Sequence, residues 1–298
     1  MNTAYHLYLA TLYKQVAQPV ATGIIWLGTL CFSVVAWAEP VPEPLKVTVS
    51  GTKTDDIHST YYYYTRLLAL ALEKTRATDG DFVIDYLEHG GGIERDRAML
   101  AAGTGIDVMW ASVTKERAGK LLVVDFDLLK GLNNYRALLI HKSSQAAFDK
   151  VTTLEELKAF KAGSGPYWTD GLIMESNGFK VVYGSNYGGL FKMLSVNRFD
   201  FLSRGLHEIG SDLNVHREFG LVQERNFLLQ YDTPVRYCFF VSKNNKKLAD
   251  RLARGLQAAQ TDGSFDELFA QIPMFKYGGE LLHDNQRRIF KVVNNTNP

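Results

Sequence analysis

Two cysteines, eight prolines and no surplus of charge of either sign limit what this chain of 298 residues can be. Lys+Arg total 33 against Asp+Glu 32, a formal charge of +1, and no basic block occurs anywhere. The electrostatic footprint needed to hold a nucleic-acid backbone is therefore missing, and nucleic acid is not expected as a partner. Hydrophobic residues at 46% and charged residues at 22% exclude a disordered chain and a polytopic membrane protein. Cys31 lies in an apolar leader, which leaves Cys238 alone in Tyr237-Cys238-Phe239-Phe240-Val241. One cysteine cannot form an internal disulfide, so Cys238 reads as a small core residue. G-x-S-x-G, H-E-x-x-H and paired-cysteine spacings are all missing, and the Gly90-Gly91-Gly92 cluster lacks the Lys and Ser/Thr of a phosphate loop. Neither a metal nor a cofactor is expected.

What is present begins with an uncharged run, Val20 to Ala36, preceded by Lys14 and followed by Ala36-Trp37-Ala38 before Glu39-Pro40. A basic start, an apolar core and small residues three and one before a cut form the pattern of a secretory signal peptide. Residues 1–38 are read as that signal, with cleavage after Ala38 and a periplasmic product. An uncleaved anchor is the competing reading, since the run sits at the lower edge of a spanning helix.

Downstream, Leu45 to Ser50 alternates as a strand, Ser59 to Thr75 carries apolar and aromatic residues at helical spacing, and Asp81 to Leu87 is a second strand. A helix from Ile93 to Ala102 leads to a third strand, Ile106 to Trp110. The alternation resumes with the strand Tyr135 to His141, the helices Leu154 to Phe160 and Asp170 to Asn177, the strand Phe179 to Tyr183 and the helix Tyr187 to Asn197. The strands Phe199 to Leu202 and Val235 to Ser242 follow, then the helices Asn245 to Gln260 and Ser264 to Gln271. Strands alternating with helices imply α/β units with parallel sheets whose ligand-facing loops lie at strand carboxyl ends. Two such units, joined through Tyr135 to His141 and Val235 to Ser242, would form two lobes around a cleft.

Within this frame Leu100 to Phe126, LAAGTGIDVMWASVTKERAGKLLVVDF, resembles the stretch that periplasmic solute-binding proteins for polar amino acids (family 3) carry as L-x-x-G, I-D, S-x-T-x-x-R and a later D-F. Leu154 to Lys158 is similar to the helix that opens that family's second lobe, and Ser242 to Ala270 to its closing helices. The resemblance implies a type 2 periplasmic binding fold with two hinge crossings, in which 39–137 and 236–298 form lobe 1 and 138–235 forms lobe 2. It implies that Arg117 and Ser112 grip a ligand carboxylate, with Thr114 and Trp110 beside them at the end of the third strand. The chemistry agrees, because a desolvated carboxylate is best met by a bidentate guanidinium with hydroxyl and N–H donors at a helix start. The alternative for Arg117 is a surface pair with Glu116 or Asp125.

Trp168, Thr169 and Asp170 fall where the family places the second lobe's ligand loop, with Thr169 and Asp170 as N-caps and Trp168 as a stacking surface. His58, ahead of Tyr61 to Tyr64, and Lys53 fall at the first lobe's ligand loop. Most of the four tyrosines must pack, since consecutive helical residues point in different directions. Family members usually hold the ligand's ammonium with an acidic residue where this chain has Arg204 and Gly205. A free Arg204, with Lys53, would favour an anionic ligand or one with several acceptors; a pair with Glu208 one turn later is the competing reading. The expected function is capture of a small polar, carboxylate-bearing solute by lobe closure in a monomer, for delivery to an inner-membrane ABC permease. An enzyme resembling cyclohexadienyl dehydratase, or a binding protein that presents its solute to a membrane receptor, are the alternatives.

Overall fold

In a computed structural model the structure describes residues 43–88, 92–166 and 168–296. Residues 1–38, read as a signal peptide, and His89 to Gly91 of the glycine turn lie outside the described residues. No helix among the described residues is long and apolar enough to cross a membrane.

The chain opens with β1 (Leu45–Ser50), α1 (Thr60–Lys74), α2 (Arg76–Asp79), β2 (Phe82–Leu87), α3 (Gly92–Ala102), β3 (Met109–Ser112), α4 (Lys115–Lys120) and β4 (Leu122–Val123). There follow β5 (Tyr135–His141), α5 (Gln145–Phe148), α6 (Leu154–Leu157), β6 (Lys161–Ser164), α7 (Thr169–Ser176), β7 (Lys180–Tyr183), α8 (Tyr187–Ser195), β8 (Phe201–Gly205) and α9 (Ile209–Val215). The end comprises β9 (Leu221–Gln223), β10 (Phe227–Tyr231), β11 (Tyr237–Val241), α10 (Lys246–Thr261), α11 (Ser264–Gln271), α12 (Pro273–Leu282) and β12 (Arg288–Val292).

Local chemistry explains many of the boundaries. The Ser59 side chain caps α1 by accepting from the Tyr61 N–H, and Thr153 with Glu156 forms a reciprocal capping box on α6. Helix α10 buries Leu248, Leu252, Leu256 and Ala259 at helical spacing against α1. Gly255 permits that approach, since a Cβ there would stand 1.9 Å from the Ala71 carbonyl oxygen. Arg251, buried beside it, donates to the Leu72 carbonyl near the end of α1 at 3.3 Å and to the Gly80 carbonyl after α2 at 2.7 Å.

In the first lobe β1 and β2 pair in parallel, Val49 bridges Val108, and β11 lies between β3 and β4, antiparallel to both. The second lobe is a larger sheet ordered β12-β10-β5-β8-β6-β7, with β9 beside β5. Both are α/β layers, as expected, but β5 runs antiparallel to β8, β9 and β10, so the second sheet is mixed. The third strand begins at Met109 rather than Ile106. Ile106 and Val108 are core residues, and the Asp107 carboxylate accepts from the Thr48 N–H at 2.8 Å, which ties this stretch to β1.

The strands expected to cross between lobes each belong to one sheet: β5 lies wholly in the larger and β11 in the smaller. The crossings are the short stretches before them. β12 differs too, because it pairs with β10 in the second sheet, although 236–298 was assigned to lobe 1 as a whole. Its sequence, Arg288-Ile289-Phe290-Lys291-Val292, alternates weakly and pairs with residues about sixty positions earlier. Cys238 is fully buried in β11, where burial pushes its thiol up to about 11, so it is an inert core residue.

Candidate functional site

The junction of the lobes gathers most of the anticipated residues around three buried arginines. At the end of β3 the Thr114 hydroxyl caps α4, accepting from the Arg117 N–H at 3.2 Å, and so sets where the Arg117 side chain leaves the helix. The guanidinium is 8% exposed, and its Nη1 donates to the Ser112 carbonyl at 2.7 Å and to the Thr169 hydroxyl at 3.3 Å. It therefore spans from the first lobe to the second. Its Nε has no acceptor, and among the described residues no carboxylate lies within ion-pair range of it. The surface pairs considered for it go elsewhere: Glu116 holds Lys120, and Asp125 holds Arg236. Burial, reinforced by Arg97, lowers the Arg117 pKa to about 10, well within the range where the group stays charged at neutral pH. The Ser112 hydroxyl accepts from the Asn133 amide at 3.2 Å.

Beside this cation stands an aromatic wall. Trp110 stacks on Tyr64 with centroids 5.1 Å apart, and Tyr64 stacks on Tyr237 at 5.5 Å. Tyr63 and Tyr64 are buried while Tyr61 is exposed, so the tyrosine run is mainly packing, with one ring turned toward the site.

The second lobe departs from the expectation in detail. Trp168 is the N-cap residue of α7, and Thr169 and Asp170 are its first two helical residues, so neither serves as the cap. Asp170 is instead the counter-ion of Arg136, which rises from β5, and its other oxygen accepts from the Tyr231 hydroxyl. Both partners of this ion pair are buried. Arg204, 5% exposed at the end of β8, is not a free cation. Its Nε donates to Asp212 at 2.5 Å, its Nη2 lies 3.3 Å from Glu208, and its guanidinium sits 4.8 Å over the Trp168 ring and 5.8 Å over Tyr187. The excess positive charge expected here is thus met by two carboxylates.

His207 is 2% exposed, and neither ring nitrogen has a hydrogen-bond partner. Burial, with Arg136 and Arg204 nearby, pushes its pKa down to about 4 against the pull of Glu208, so the ring is neutral at pH 7. Its imidazole and the Arg136 guanidinium fill the space over Gly205, where a Cβ would meet them at 2.4 and 2.6 Å. Glu208 is partly exposed; burial opposes its charge, yet Arg204, His207 and Arg136 hold its pKa down at about 2. Lys53 and His58 are exposed, away from these buried groups, although the His58 carbonyl accepts from Ser211 of α9 at 3.5 Å.

Arg136, His207, Glu208, Asp212, Tyr64 and Tyr237 form part of this arrangement without having been singled out as site residues. Tyr64, within the run Tyr61 to Tyr64, and Glu208, four residues after Arg204, left traces in sequence. The others come from β5, the turn between β8 and α9, α9 itself and β11, which meet only in the folded chain. Chemically, the junction offers one uncompensated cation at Arg117, one partly open carboxylate at Glu208, and an aromatic wall with a neutral imidazole.

No family model matches this sequence, and no curated protein matches it. Solved structures do resemble it. An ancestral arginine-binding protein bound to arginine matches at 18% identity and a TM-score of 0.57, over 78% of this chain and 100% of that one. A structure from work on glutathione import through GshT and the cystine ABC importer of Streptococcus mutans matches at 14% and 0.57, over 80% and 96%. An ancestral amino acid-binding protein, a precursor of cyclohexadienyl dehydratase, matches at 15% and 0.54, over 77% and 94%. The fold is that of the type 2 periplasmic binding proteins.

Proposed function

We propose that this protein is an extracytoplasmic solute-binding protein, which closes its two lobes on a small polar solute bearing a carboxylate and delivers it to an ABC permease. The observation that carries the reading is Arg117. A buried guanidinium without a carboxylate is costly to maintain, and the natural compensation is an anion supplied from outside. With Arg117 donating and the Thr169 hydroxyl already at the lobe junction, a ligand carboxylate here would touch both lobes and draw them together.

The other end of the solute would face Glu208. The expectation of a dicarboxylate or multi-acceptor ligand rested on Arg204 as a second free cation, and Arg204 has its own carboxylates. A single carboxylate with an ammonium or other donor, an amino acid or a close relative, fits one open cation and one partly open carboxylate better. Among the structural neighbours, the arginine-binding protein bound to arginine concerns a solute with a single carboxylate and an ammonium.

The test is a thermal-shift and calorimetric panel of amino acids, short peptides and dicarboxylates against the purified protein. At least one carboxylate-bearing solute should raise the unfolding midpoint as RT ln(1 + [L]/Kd), and Arg117→Ala should lose that response. A panel with no stabilising carboxylate, or full retention of binding by Arg117→Ala, would overturn the reading. Export is proposed with it: protein from the periplasm of a Gram-negative host should begin at Glu39, and an intact amino terminus in the membrane fraction would refute that step.

A further inference from the structure

Arg204 makes the contacts that a bound cationic ligand would make. Its guanidinium donates to Asp212 at 2.5 Å, pairs with Glu208 at 3.3 Å, and lies against the faces of Trp168 and Tyr187 at 4.8 and 5.8 Å. Two carboxylates and two aromatic faces around one planar cation are the chemistry by which a guanidinium is recognised. The arrangement is also built: the Tyr187 hydroxyl donates to the second oxygen of Asp212, which fixes the carboxylate and the ring together. It adjoins the proposed ligand seam, because Trp168 immediately precedes Thr169, the residue Arg117 contacts across the lobes. Tyr187 is 48% exposed, so one wall faces solvent.

We propose that Arg204 is a tethered occupant of a guanidinium subsite in the second lobe, and that its presence closes this protein to solutes with a cationic side chain. The inference rests on reading the lobe junction as the solute site. Asp212 and the Oε2 atom of Glu208, which would neutralise a ligand's guanidinium, are already engaged by Arg204, and its guanidinium lies over the Trp168 and Tyr187 rings that would receive one. A cationic side chain entering there would have to displace Arg204 and would meet its like charge. Specificity would then come from filling a subsite with the chain's own side chain rather than from removing the residues that form it.

The experiment is substitution followed by chemical rescue. Arg204→Ala is titrated with guanidinium chloride at low millimolar concentration, with sodium chloride matched for ionic strength and urea matched for shape without charge. The variant should show a saturable rise in unfolding midpoint of about 3 °C or more with guanidinium only, while the unsubstituted protein shows none. In a second arm arginine and agmatine should stabilise the variant and leave the unsubstituted protein unmoved. Should Arg204→Ala not accumulate as folded protein, Arg204→Ala with Asp212→Asn removes one of the freed carboxylates and is measured in the same way. Guanidinium acting no better than urea on the folded variant, or arginine stabilising the unsubstituted protein at micromolar concentration, would overturn the proposal. The guanidinium arm needs no physiological ligand, so its failure is separable from failure of the carboxylate panel.

Discussion

Arg117 and Arg204 are buried to nearly the same extent, 8% and 5% exposed, yet they keep different company. Arg204 has Asp212, Glu208 and two aromatic faces, and Arg136 nearby has Asp170. Arg117 has a carbonyl, a hydroxyl and an unused Nε. A buried cation with its counter-ion is neutralised, even where, as in Arg136, its Nε is unused, and removing either member leaves an uncompensated charge. A buried cation without one is a place where stability has been given up, and such places coincide with binding sites more than with scaffolds.

The comparison breaks most sharply at the paired arginine. Asp170→Ala strips Arg136 of its counter-ion and the Tyr231 hydroxyl of its acceptor, and should destabilise the fold by about 3 to 5 kcal/mol in urea unfolding. A loss under about 1 kcal/mol would mean that the two charges do not depend on each other.

Arg117→Ala should behave in the opposite way. Stability without ligand should hold or rise, because a desolvated cation is removed, while affinity for the solute falls by ~2 to 5 kcal/mol. Equal destabilisation by both substitutions would erase the distinction between structural and ligand-facing arginine.

A smaller effect sharpens the electrostatics between them. His207 is held neutral in the folded state at about 4 against an ordinary 6.5, so the unfolded chain takes up a proton first as pH falls. Its contribution is therefore fully present above pH 6.5 and is lost between 6.5 and about 4. Glu208 acts lower, between its ordinary 4.5 and about 2, while His216, also lowered by burial, acts in the same window, so the difference between parent and variant from pH 7 to pH 5 reads His207. Stability measured by urea unfolding should fall over that interval by about 2 kcal/mol more in the parent protein than in His207→Gln. An identical fall in the variant would assign the slope to other groups.

How much of this was legible beforehand depends on the range of the interaction involved. The Tyr135 to His141 strand and the α11 helix after Asp262-Gly263 were readable because hydrophobic periodicity and turn residues act within a few positions. The S-x-T-x-x-R stretch was readable in the same way: Thr114 caps the turn that carries Arg117, and both lie within six residues of Ser112. Among the elements missed were β4, β6, β9, β10, β12, α2, α5, α9 and α12, whose residues give weak local patterns, the strands pairing with distant partners.

By itself the sequence determined an α/β alternation and which short segment would present Arg117 at a strand end. Only tertiary structure decided which charges are free. Asp170 stood in sequence as a helix cap, and became a counter-ion because the fold brings Arg136, 34 residues away, and Tyr231, 61 away, onto its two oxygens. Arg204 stood as a spare cation, and was neutralised because α9 carries Asp212 one turn beyond Glu208 and the start of α7 delivers Trp168 beneath the guanidinium. Caps and periodicities are set by neighbours along the chain. The protonation, pairing and openness of a buried charge are set by whatever the closed fold places within about 4 Å of it, and no local pattern encodes that.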